Sequence, residues 1–295
     1  MSQWKIRCCK MKKRMGDLSF AVVGVGLMGS AFAQGLKKIG AKKVYGIDTD
    51  QKKLEEAKQR DIIDEGSPDP RDVLPHADVV FLCLYLSKSI DFMKEYGDAF
   101  KEGALLTDIV GVKEAIIEAA KNHLPDKVTF IPGHPMTGRE LSKEPFTSSK
   151  IFQGKNYILT PLESNKEKTV SFLEEIISQL GFAEVVKTDP KTHDQKIAFT
   201  SQLCHIIAAS MVDAGEDLDV KRFGGGSYQD MTRIAIINKT MWPELFVANK
   251  EALLPVLEDF MESISFFKEQ IEADRESEMV KKLDEIGAKR KKLEE

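Results

Sequence analysis

A glycine-rich turn near the start of the chain places the strongest constraint on the fold. The sequence Gly24-Val25-Gly26-Leu27-Met28-Gly29 follows the apolar run Phe20–Val23 and opens the amphipathic segment Met28–Ile39. In such a turn the first glycine permits the tight bend, the second lets a pyrophosphate approach the backbone, and the third lets helix and strand pack closely. The helix N-terminus offers free N–H groups to phosphate. The residues predicted to bind a dinucleotide here are Gly24, Gly26, Leu27, Met28 and Gly29.

A carboxylate follows this turn at the distance that dinucleotide sites require. The apolar run Lys43–Ile47 ends at Asp48, about 20 residues after the last glycine of the turn. A carboxylate in this position accepts hydrogen bonds from the adenine ribose and repels a 2′-phosphate, which favours NAD. Lys52 and Lys53 leave NADP as an alternative. A third apolar run, Asp78–Leu84, is expected to end beside the cofactor, so that Leu84 borders it.

Two different periodicities divide the chain into two parts. In the first part short apolar runs alternate with amphipathic segments, which predicts a parallel sheet with helices on both faces, a Rossmann domain. After Asp189–Pro190 apolar residues recur at helical spacing with few strand signals. We therefore predict an α/β Rossmann domain followed by an all-α C-terminal domain. The predicted parts are a basic N-terminal arm over residues 1–17, a dinucleotide-binding domain over 18–188 and a helical substrate and dimerisation domain over 189–295.

Composition excludes some classes of partner. The formal net charge is -4, so no overall basic field recruits nucleic acid. No apolar run approaches the roughly 20 residues that span a bilayer, and we expect no membrane partner. The four cysteines have neither the spacing of a zinc site nor that of a disulfide framework. This usage predicts a cytoplasmic protein without a metal, and Cys83 and Cys204 are expected in the core.

One histidine lies where an open α/β sheet binds its ligands. The sequence Gly133-His134-Pro135-Met136-Thr137-Gly138-Arg139-Glu140 follows the apolar run Val128–Ile131. Crevices at the carboxyl ends of parallel strands are the usual ligand sites of such sheets. Because histidine titrates near neutral pH, it can take a proton from a hydroxyl as hydride leaves the same carbon. His134 is thus a candidate general base.

This segment resembles the catalytic-histidine segment of the prephenate and arogenate dehydrogenases. Further segments resemble that family in the same order along the chain, namely Thr107–Lys113, Thr192–Asp194, Ser201–His205 and Ser227–Ala235. The resemblance implies oxidative decarboxylation of prephenate with NAD in tyrosine biosynthesis, with His134 as the base and Arg233 as the clamp for a substrate carboxylate. It also implies that the substrate pocket contains His205, Ser201, His193, Asp230 and Trp242, with Trp242 reaching the site from a partner subunit. Gly111 and Lys113 match the family's loop beside the cofactor.

The chain departs from the family's pattern at Gly111, where many members have a serine that contacts the histidine and the substrate hydroxyl. Thr137 is a candidate replacement for that hydroxyl. Several assignments keep a structural alternative: Arg233 as a surface residue, His193 as a helix cap with Asp194, His205 as a core histidine and Trp242 as ordinary packing. Arogenate dehydrogenase is the nearest alternative function; a β-hydroxyacid dehydrogenase and a non-enzymatic NAD-binding redox sensor are further ones. Apolar surface on the long C-terminal helices predicts a homodimer through the helical domain.

Overall fold

Six parallel strands form the main sheet of the protein, in the order β3-β2-β1-β4-β5-β6. The computed structural model describes residues 15–137, 144–215 and 219–293, so nearly all of the predicted N-terminal arm lies outside the described residues. The strands are β1 Ser19–Val23, β2 Lys43–Ile47, β3 Glu65–Ser67, β4 Val79–Leu82, β5 Leu105–Asp108 and β6 Thr129–Phe130. The strand order reverses between β1 and β4, which is where sheets of this type bind ligands.

Helices cover both faces of this sheet, as the sequence predicts. They are α1 Leu27–Lys38, α2 Gln51–Gln59, α3 Leu86–Tyr96, α4 Glu114–His123 and, after the second sheet begins, α5 Glu167–Gln179. Within β1, Phe20 and Val22 belong to one buried apolar cluster, whereas Ala21 and Val23 belong to the other. This alternation follows from the two-residue period of a strand. Both faces of the central strand β1 are therefore buried, which explains its nearly continuous apolar sequence.

A second, three-stranded sheet holds the predicted histidine segment. It consists of β7 Gly133–Pro135, β8 Asn156–Leu159 and β9 Glu184–Lys187, in that order. Strand β7 is antiparallel to β8, and β8 is parallel to β9. The apolar run Tyr157–Thr160 is one of the runs whose alternation with amphipathic segments predicts a single parallel sheet. It lies in this second sheet instead, so the prediction was wrong for this run. The turn after β6 redirects the chain, so that His134 lies within a strand rather than in a loop.

The C-terminal part is helical, as predicted. Its helices are α6 Pro190–Ile197, α7 Leu203–Asp213, α8 Val220–Phe223, α9 Gly226–Thr232, α10 Met241–Ala248, α11 Lys250–Glu272 and α12 Glu276–Lys292. Asp189 caps α6 by accepting a hydrogen bond from the backbone N–H of Thr192, which places the start of α6 at the predicted proline. In the sequence, apolar residues recur at helical spacing over Gln195–Ala214, which predicts a helix across this range. Instead a π-helical turn, Ala198–Gln202, separates α6 from α7, and such turns are frequent at functional sites.

Met15 is fully buried in the core. Cys83 packs against the core, but Cys204 is exposed on α7, so the prediction that Cys204 is a core residue was wrong. Cys204 follows the π-helical turn, which changes the helix face that the residue occupies. Across the described ranges, every helix is too short or too polar to traverse a lipid bilayer.

Candidate active site

The glycine-rich turn has the geometry that a bound pyrophosphate needs. Gly24 has a φ of +86°, and a Cβ there would lie 2.6 Å from the carbonyl oxygen of Cys83. A Cβ on Gly29 would lie 1.9 Å from the carbonyl oxygen of Gly24, so only glycine lets helix α1 approach β1 this closely. A Cβ on Gly26 would meet nothing within 4 Å. Since no protein atom requires a glycine at position 26, its backbone is open for the close approach of a ligand.

Asp48 stands next to this turn. Its Oδ2 atom accepts a hydrogen bond from the backbone N–H of Val25 at 2.9 Å, and the ammonium of Lys53 lies 3.0 Å from the same oxygen. Leu84 lies on the other side, and its Cδ2 atom would be 2.8 Å from a Cβ on Gly24. Leu27 and Met28 are half-buried in the first turn of α1. The turn, Asp48 and Leu84 therefore lie together at the carboxyl edge of β1, β2 and β4, and they fit a dinucleotide.

His134 begins a row of three polar side chains. Its Nδ1 atom is 3.0 Å from Nε2 of His193, and Nδ1 of His193 is 2.7 Å from Oδ1 of Asp194. His193 and Asp194 are buried, whereas His134 is half-buried. Loss of hydration lowers the pKa of His134 well below its usual 6.5, and His193 and Lys113 lower it further. Burial also lowers the pKa of His193, against the opposing effect of Asp194. Both imidazoles are thus neutral at pH 7.

The structure assigns Asp194 a helix cap and His193 a different role. Asp194 accepts hydrogen bonds from the backbone N–H groups of Lys113 at 2.8 Å and Glu114 at 2.9 Å, at the N-terminus of α4. This joins the helical domain to the Rossmann domain. His193 does not cap a helix with its ring; it connects the cap to His134. The sequence suggested a joint cap by the two residues, which holds for Asp194 alone.

Lys113 lies beneath His134 in the protein interior. Its ammonium is 2.6 Å from Oδ2 of Asp108 and 2.6 Å from the carbonyl oxygen of Gly133. The side chain is fully buried, and burial lowers its pKa although Asp108 opposes the change. The described contacts therefore give Lys113 a structural role in holding β7. Its contact with a cofactor stays a prediction.

Gly111 lies beside His134, as the resemblance implied. A Cβ on Gly111 would be 4.0 Å from Nε2 of His134 and 3.2 Å from Cδ1 of Leu245. Leu245 belongs to α10, so this helix covers the loop after β5. Thr137, the candidate replacement for the family serine, donates its hydroxyl to the carbonyl of Ile151 at 3.2 Å and is engaged there.

A second cluster lies one turn away along α10. The rings of His205 and Trp242 stack with centroids 3.8 Å apart, and Nδ1 of His205 is 2.9 Å from the carbonyl oxygen of Ser201. Since Trp242 and Leu245 are three residues apart on one helix, they share a face. The structure thus brings His205, Ser201 and Trp242 together close to the His134 row. Trp242 is 5% exposed and packs within its own chain; its contribution to a partner's site stays a prediction.

Arg233 and Asp230 are placed differently. Both are exposed on or just after α9, a helix that packs against α7. Within the described part of the chain, the hydrogen bonds and ion pairs connect neither side chain to His134. Their convergence on the substrate stays a prediction.

Several contacts at the domain junction were missed from the sequence. Glu244 of α10 accepts hydrogen bonds from the backbone N–H and the hydroxyl of Ser87, at the start of α3. Asn238 donates to the hydroxyl of Tyr85 at 2.8 Å. No local pattern in the sequence identifies such partners, because each pair joins residues more than 150 positions apart.

Comparison with known proteins places the chain in a family. A family model described as the nucleotide-binding domain of prephenate dehydrogenase matches residues 32–187, and one described as the dimerization domain of prephenate dehydrogenase matches residues 189–285. A crystal structure of prephenate dehydrogenase from Aquifex aeolicus, in complex with hydroxyphenyl propionate and NAD⁺, is 30% identical with a TM-score of 0.83; the match covers 94% of this chain and 98% of that one.

Two further relatives agree with this placement. Synechocystis arogenate dehydrogenase is 25% identical with a TM-score of 0.79, over 94% of this chain and 100% of that one. Prephenate dehydrogenase from Bacillus subtilis is 27% identical over 86% of this chain and 70% of its own. The two family models together cover both domains, and the site described above contains the glycine turn and the histidine that the resemblance required. This chain therefore belongs to the prephenate dehydrogenase family.

Proposed function

We propose that this protein is an NAD-dependent prephenate dehydrogenase, which converts prephenate to 4-hydroxyphenylpyruvate and carbon dioxide. The observation that carries the proposal is the position of His134. Gly133 is hydrogen-bonded to Asp108 at the carboxyl end of β5, and β5 is two strands from β1, where the glycine turn lies. Two strand spacings are about 10 Å. The strand that anchors the His134 segment thus lies near the strand that carries the dinucleotide turn, at the same edge of the sheet, which supports a neutral imidazole beside the bound cofactor.

The chemistry divides between cofactor and protein. A bound nicotinamide dinucleotide supplies the hydride acceptor, and the glycine turn and Asp48 would hold it. Prephenate carries a ring hydroxyl, a ring carboxylate and a pyruvyl side chain. His134 takes the hydroxyl proton as hydride leaves the carbon that bears this hydroxyl, which makes that carbon a ketone. The electrons of the departing ring carboxylate then complete the aromatic ring as carbon dioxide leaves, and the ring oxygen takes the proton back from His134. The imidazole is suited to this step because its lowered pKa keeps it unprotonated at pH 7.

The substrate's carboxylates need a cation. Arg233 is our first candidate, since a guanidinium makes two parallel charge-assisted bonds to a carboxylate. The contact of His205 with Trp242 and with the carbonyl of Ser201 brings α7 and α10 together, and we expect the substrate beside this cluster. We expect His193 to act through His134, and Asp230 to lie at the rim of the pocket.

An assay of NADH formation tests the proposal. Prephenate, arogenate and small β-hydroxyacids are compared, each with NAD and with NADP. We expect turnover of prephenate with NAD. Turnover of arogenate alone would favour the amino-substituted substrate, and turnover of β-hydroxyacids alone would overturn the assignment. His134→Asn should lower kcat by about 100-fold or more, the lower end of the range for a general base, with little change in KM.

Arg233 has a matched control on the neighbouring helix. Arg233→Ala should raise KM for prephenate by about 10- to 100-fold, since a hydrogen bond to a charged group contributes about 1.5–3 kcal/mol. Arg222→Ala removes an exposed arginine of α8, which pairs with Asp219 at 3.7 Å, and should leave KM unchanged. Equal effects of the two substitutions would place Arg233 outside the pocket.

We also infer that two copies associate through the helical domain. Helix α11 exposes Met261, Ile264 and Ile271, and α12 exposes Val280, Leu283 and Ile286. Their spacing gives each helix an apolar stripe, and the matched dimerization-domain model covers most of both helices. Sedimentation at micromolar concentration should give twice the chain mass of 33.1 kDa, and a monomer would contradict the inference. We also propose that the protein is cytoplasmic, as its cysteine usage predicts.

A further inference from the structure

The row from Asp194 to His134 determines where the protons lie on both imidazoles. A carboxylate oxygen only accepts hydrogen bonds. Oδ1 of Asp194 already accepts the backbone N–H of Lys113, and it lies 2.7 Å from Nδ1 of His193. Nδ1 of His193 must therefore carry a hydrogen. In a neutral imidazole the other nitrogen is then an acceptor, so Nε2 of His193 presents a lone pair to His134.

The same reasoning extends to His134. Its Nδ1 atom lies 3.0 Å from the Nε2 lone pair of His193, so this nitrogen carries the hydrogen. Nε2 of the neutral His134 is then the free base. This nitrogen is the one that faces Gly111, at 4.0 Å from the position of a Cβ there. It points towards the loop after β5, at the edge of the sheet where the glycine turn also lies.

We propose that His193 and Asp194 are positioning residues, which hold His134 in the tautomer with the hydrogen on Nδ1 and so make Nε2 the atom that takes the substrate's hydroxyl proton. This inference rests on the proposed function. The substrate proton moves to Nε2 of His134, while the hydrogen on Nδ1 of His134 stays there and continues to be donated to Nε2 of His193. The logic is that of a catalytic triad, in which a buried carboxylate orients an imidazole and stabilises its charged form.

The charges around the row fit this role. Asp194 is the acidic group in direct contact with His193, and it stabilises positive charge that develops along the row. The ammonium of Lys113 disfavours a proton on His134, while Asp108 partly offsets it through the ion pair. His134 is thereby kept neutral before the reaction, and the charge that forms during proton transfer is balanced by Asp194.

Asp194 also caps helix α4, so its substitution would combine two effects. His193 separates these two effects, because among the described residues its ring forms hydrogen bonds within the row and none to the helix N-terminus. In His193→Gln the amide oxygen can occupy the place of Nε2 and accept from His134. In His193→Leu a side chain of similar size offers no acceptor. The pair distinguishes the hydrogen bond from mere packing.

The first experiment reads the tautomers without substrate. The chain has five histidines, and long-range ¹⁵N–¹H NMR of the ¹⁵N-labelled wild-type protein distinguishes protonated from bare ring nitrogens. His134→Asn and His193→Gln assign the signals. We expect the hydrogen of both His134 and His193 on Nδ1. A hydrogen on Nε2 of His134 would overturn the proposal. Because this readout needs no turnover, it stands apart from failure of the proposed function.

The second experiment measures kcat for prephenate and the dissociation constant for NAD. His193→Leu should lower kcat by about 100-fold, as loss of a correctly oriented base does, and should leave NAD binding unchanged. His193→Gln should retain kcat within a few-fold of wild type. Equal losses in the two variants would overturn the proposal. If His193→Leu does not fold, His193→Gln decides: a kcat as low as that of His134→Asn overturns it.

Discussion

The ammonium of Lys113 lies 2.6 Å from a carboxylate oxygen of Asp108, and both side chains are fully buried. The pair joins two segments that carry the site. Oδ2 of Asp108 also accepts the backbone N–H of Val110, and Oδ1 accepts that of Gly133, while Lys113 donates to the carbonyl of Gly133. Both backbone polar groups of Gly133 are thus fixed immediately before His134. The ion pair therefore fixes the backbone of Gly133, and with it the position of the neighbouring His134 imidazole.

Removing one member of this pair should destabilise the fold. Lys113→Met leaves the charge of Asp108 buried without its partner, which costs about 3–5 kcal/mol of unfolding free energy. Urea denaturation measures this change. The control is Lys268→Met, which breaks an exposed pair with Glu272 on α11 and should cost less than about 1 kcal/mol. Comparable losses in the two variants would show that the buried pair does not hold β7.

The Rossmann domain was predictable because its signals are local. The turn Gly24–Gly29, its flanking strand and helix, and Asp48 lie within 25 residues or so of one another, and the structure places all of them as expected. Strand β3 was missed, since Glu65–Ser67 is a short, polar edge strand without an apolar pattern. Strand β7 was missed because its three residues are fixed by antiparallel pairing with β8, over 20 residues further along the chain.

The site was predictable in part. His134 and Gly111 were placed side by side through the family resemblance, and their distance agrees. The contact of His134 with His193 joins residues 59 positions apart, and no spacing rule covers such a pair. The cap of α4 by Asp194 spans the domain junction. Long-range hydrogen bonds of this kind depend on tertiary packing, which overrides local patterns.

Two glycines of the turn should respond differently to the same substitution. Gly26→Ala meets no protein atom within 4 Å, so its unfolding free energy should stay within about 0.5 kcal/mol of wild type. It should nevertheless weaken NAD binding, because the added methyl occupies the space through which the pyrophosphate approaches.

Gly29→Ala is the converse case. Its methyl would lie 1.9 Å from the carbonyl oxygen of Gly24, so helix α1 must move away from β1. We expect the unfolding free energy to decrease by about 1–3 kcal/mol, as it does when a core is overpacked. Isothermal titration with NAD and thermal denaturation measure both effects. If Gly26→Ala binds NAD like the wild type, the turn does not contact the cofactor.

The pH dependence of the reaction should reflect the lowered pKa of His134. The base must be unprotonated, so kcat/KM is full near neutral pH and is lost as the pH falls through the pKa of the folded protein, which lies well below 6.5. The acid limb of a kcat/KM profile measures this value, and His134→Asn should lack the limb. An apparent pKa above 6.5 would contradict the burial of the imidazole as its controlling cause.

The unfolding free energy, like kcat/KM, should decrease as the pH falls. In the unfolded chain His134 and His193 protonate near 6.5, but both pKa values are lower in the folded protein. Below 6.5 the unfolded state therefore binds more protons, and the unfolding free energy decreases as the pH falls. Urea titrations between neutral and mildly acidic pH measure this slope. His193→Gln should make the slope shallower, and an unchanged slope would argue against a buried neutral His193.

Gly111 offers a way to add the hydroxyl that the family resemblance leads one to expect at this position. A Cβ at this position is in ordinary contact with Nε2 of His134 at 4.0 Å and is close to Cδ1 of Leu245 at 3.2 Å, so Leu245 has to shift by a few tenths of an ångström. In Gly111→Ser the hydroxyl can donate to Nε2 or to the substrate. Gly111→Ala adds the same carbon without the hydroxyl and is the matched control. Because one hydrogen bond contributes about 0.5–1.5 kcal/mol, the serine variant should exceed the alanine variant in kcat/KM by about 2- to 10-fold.

A second substitution, Leu245→Val, separates the steric effect of the added carbon from the effect of the hydroxyl on the reaction. If Leu245 resists the added carbon, both variants lose stability equally, and combining each with Leu245→Val should restore it, because the shorter side chain removes the atom that lies at 3.2 Å. The ratio between serine and alanine is unaffected by this correction. Equal kcat/KM values for the two variants, with and without Leu245→Val, would show that Nε2 of His134 does not face Gly111 during the reaction.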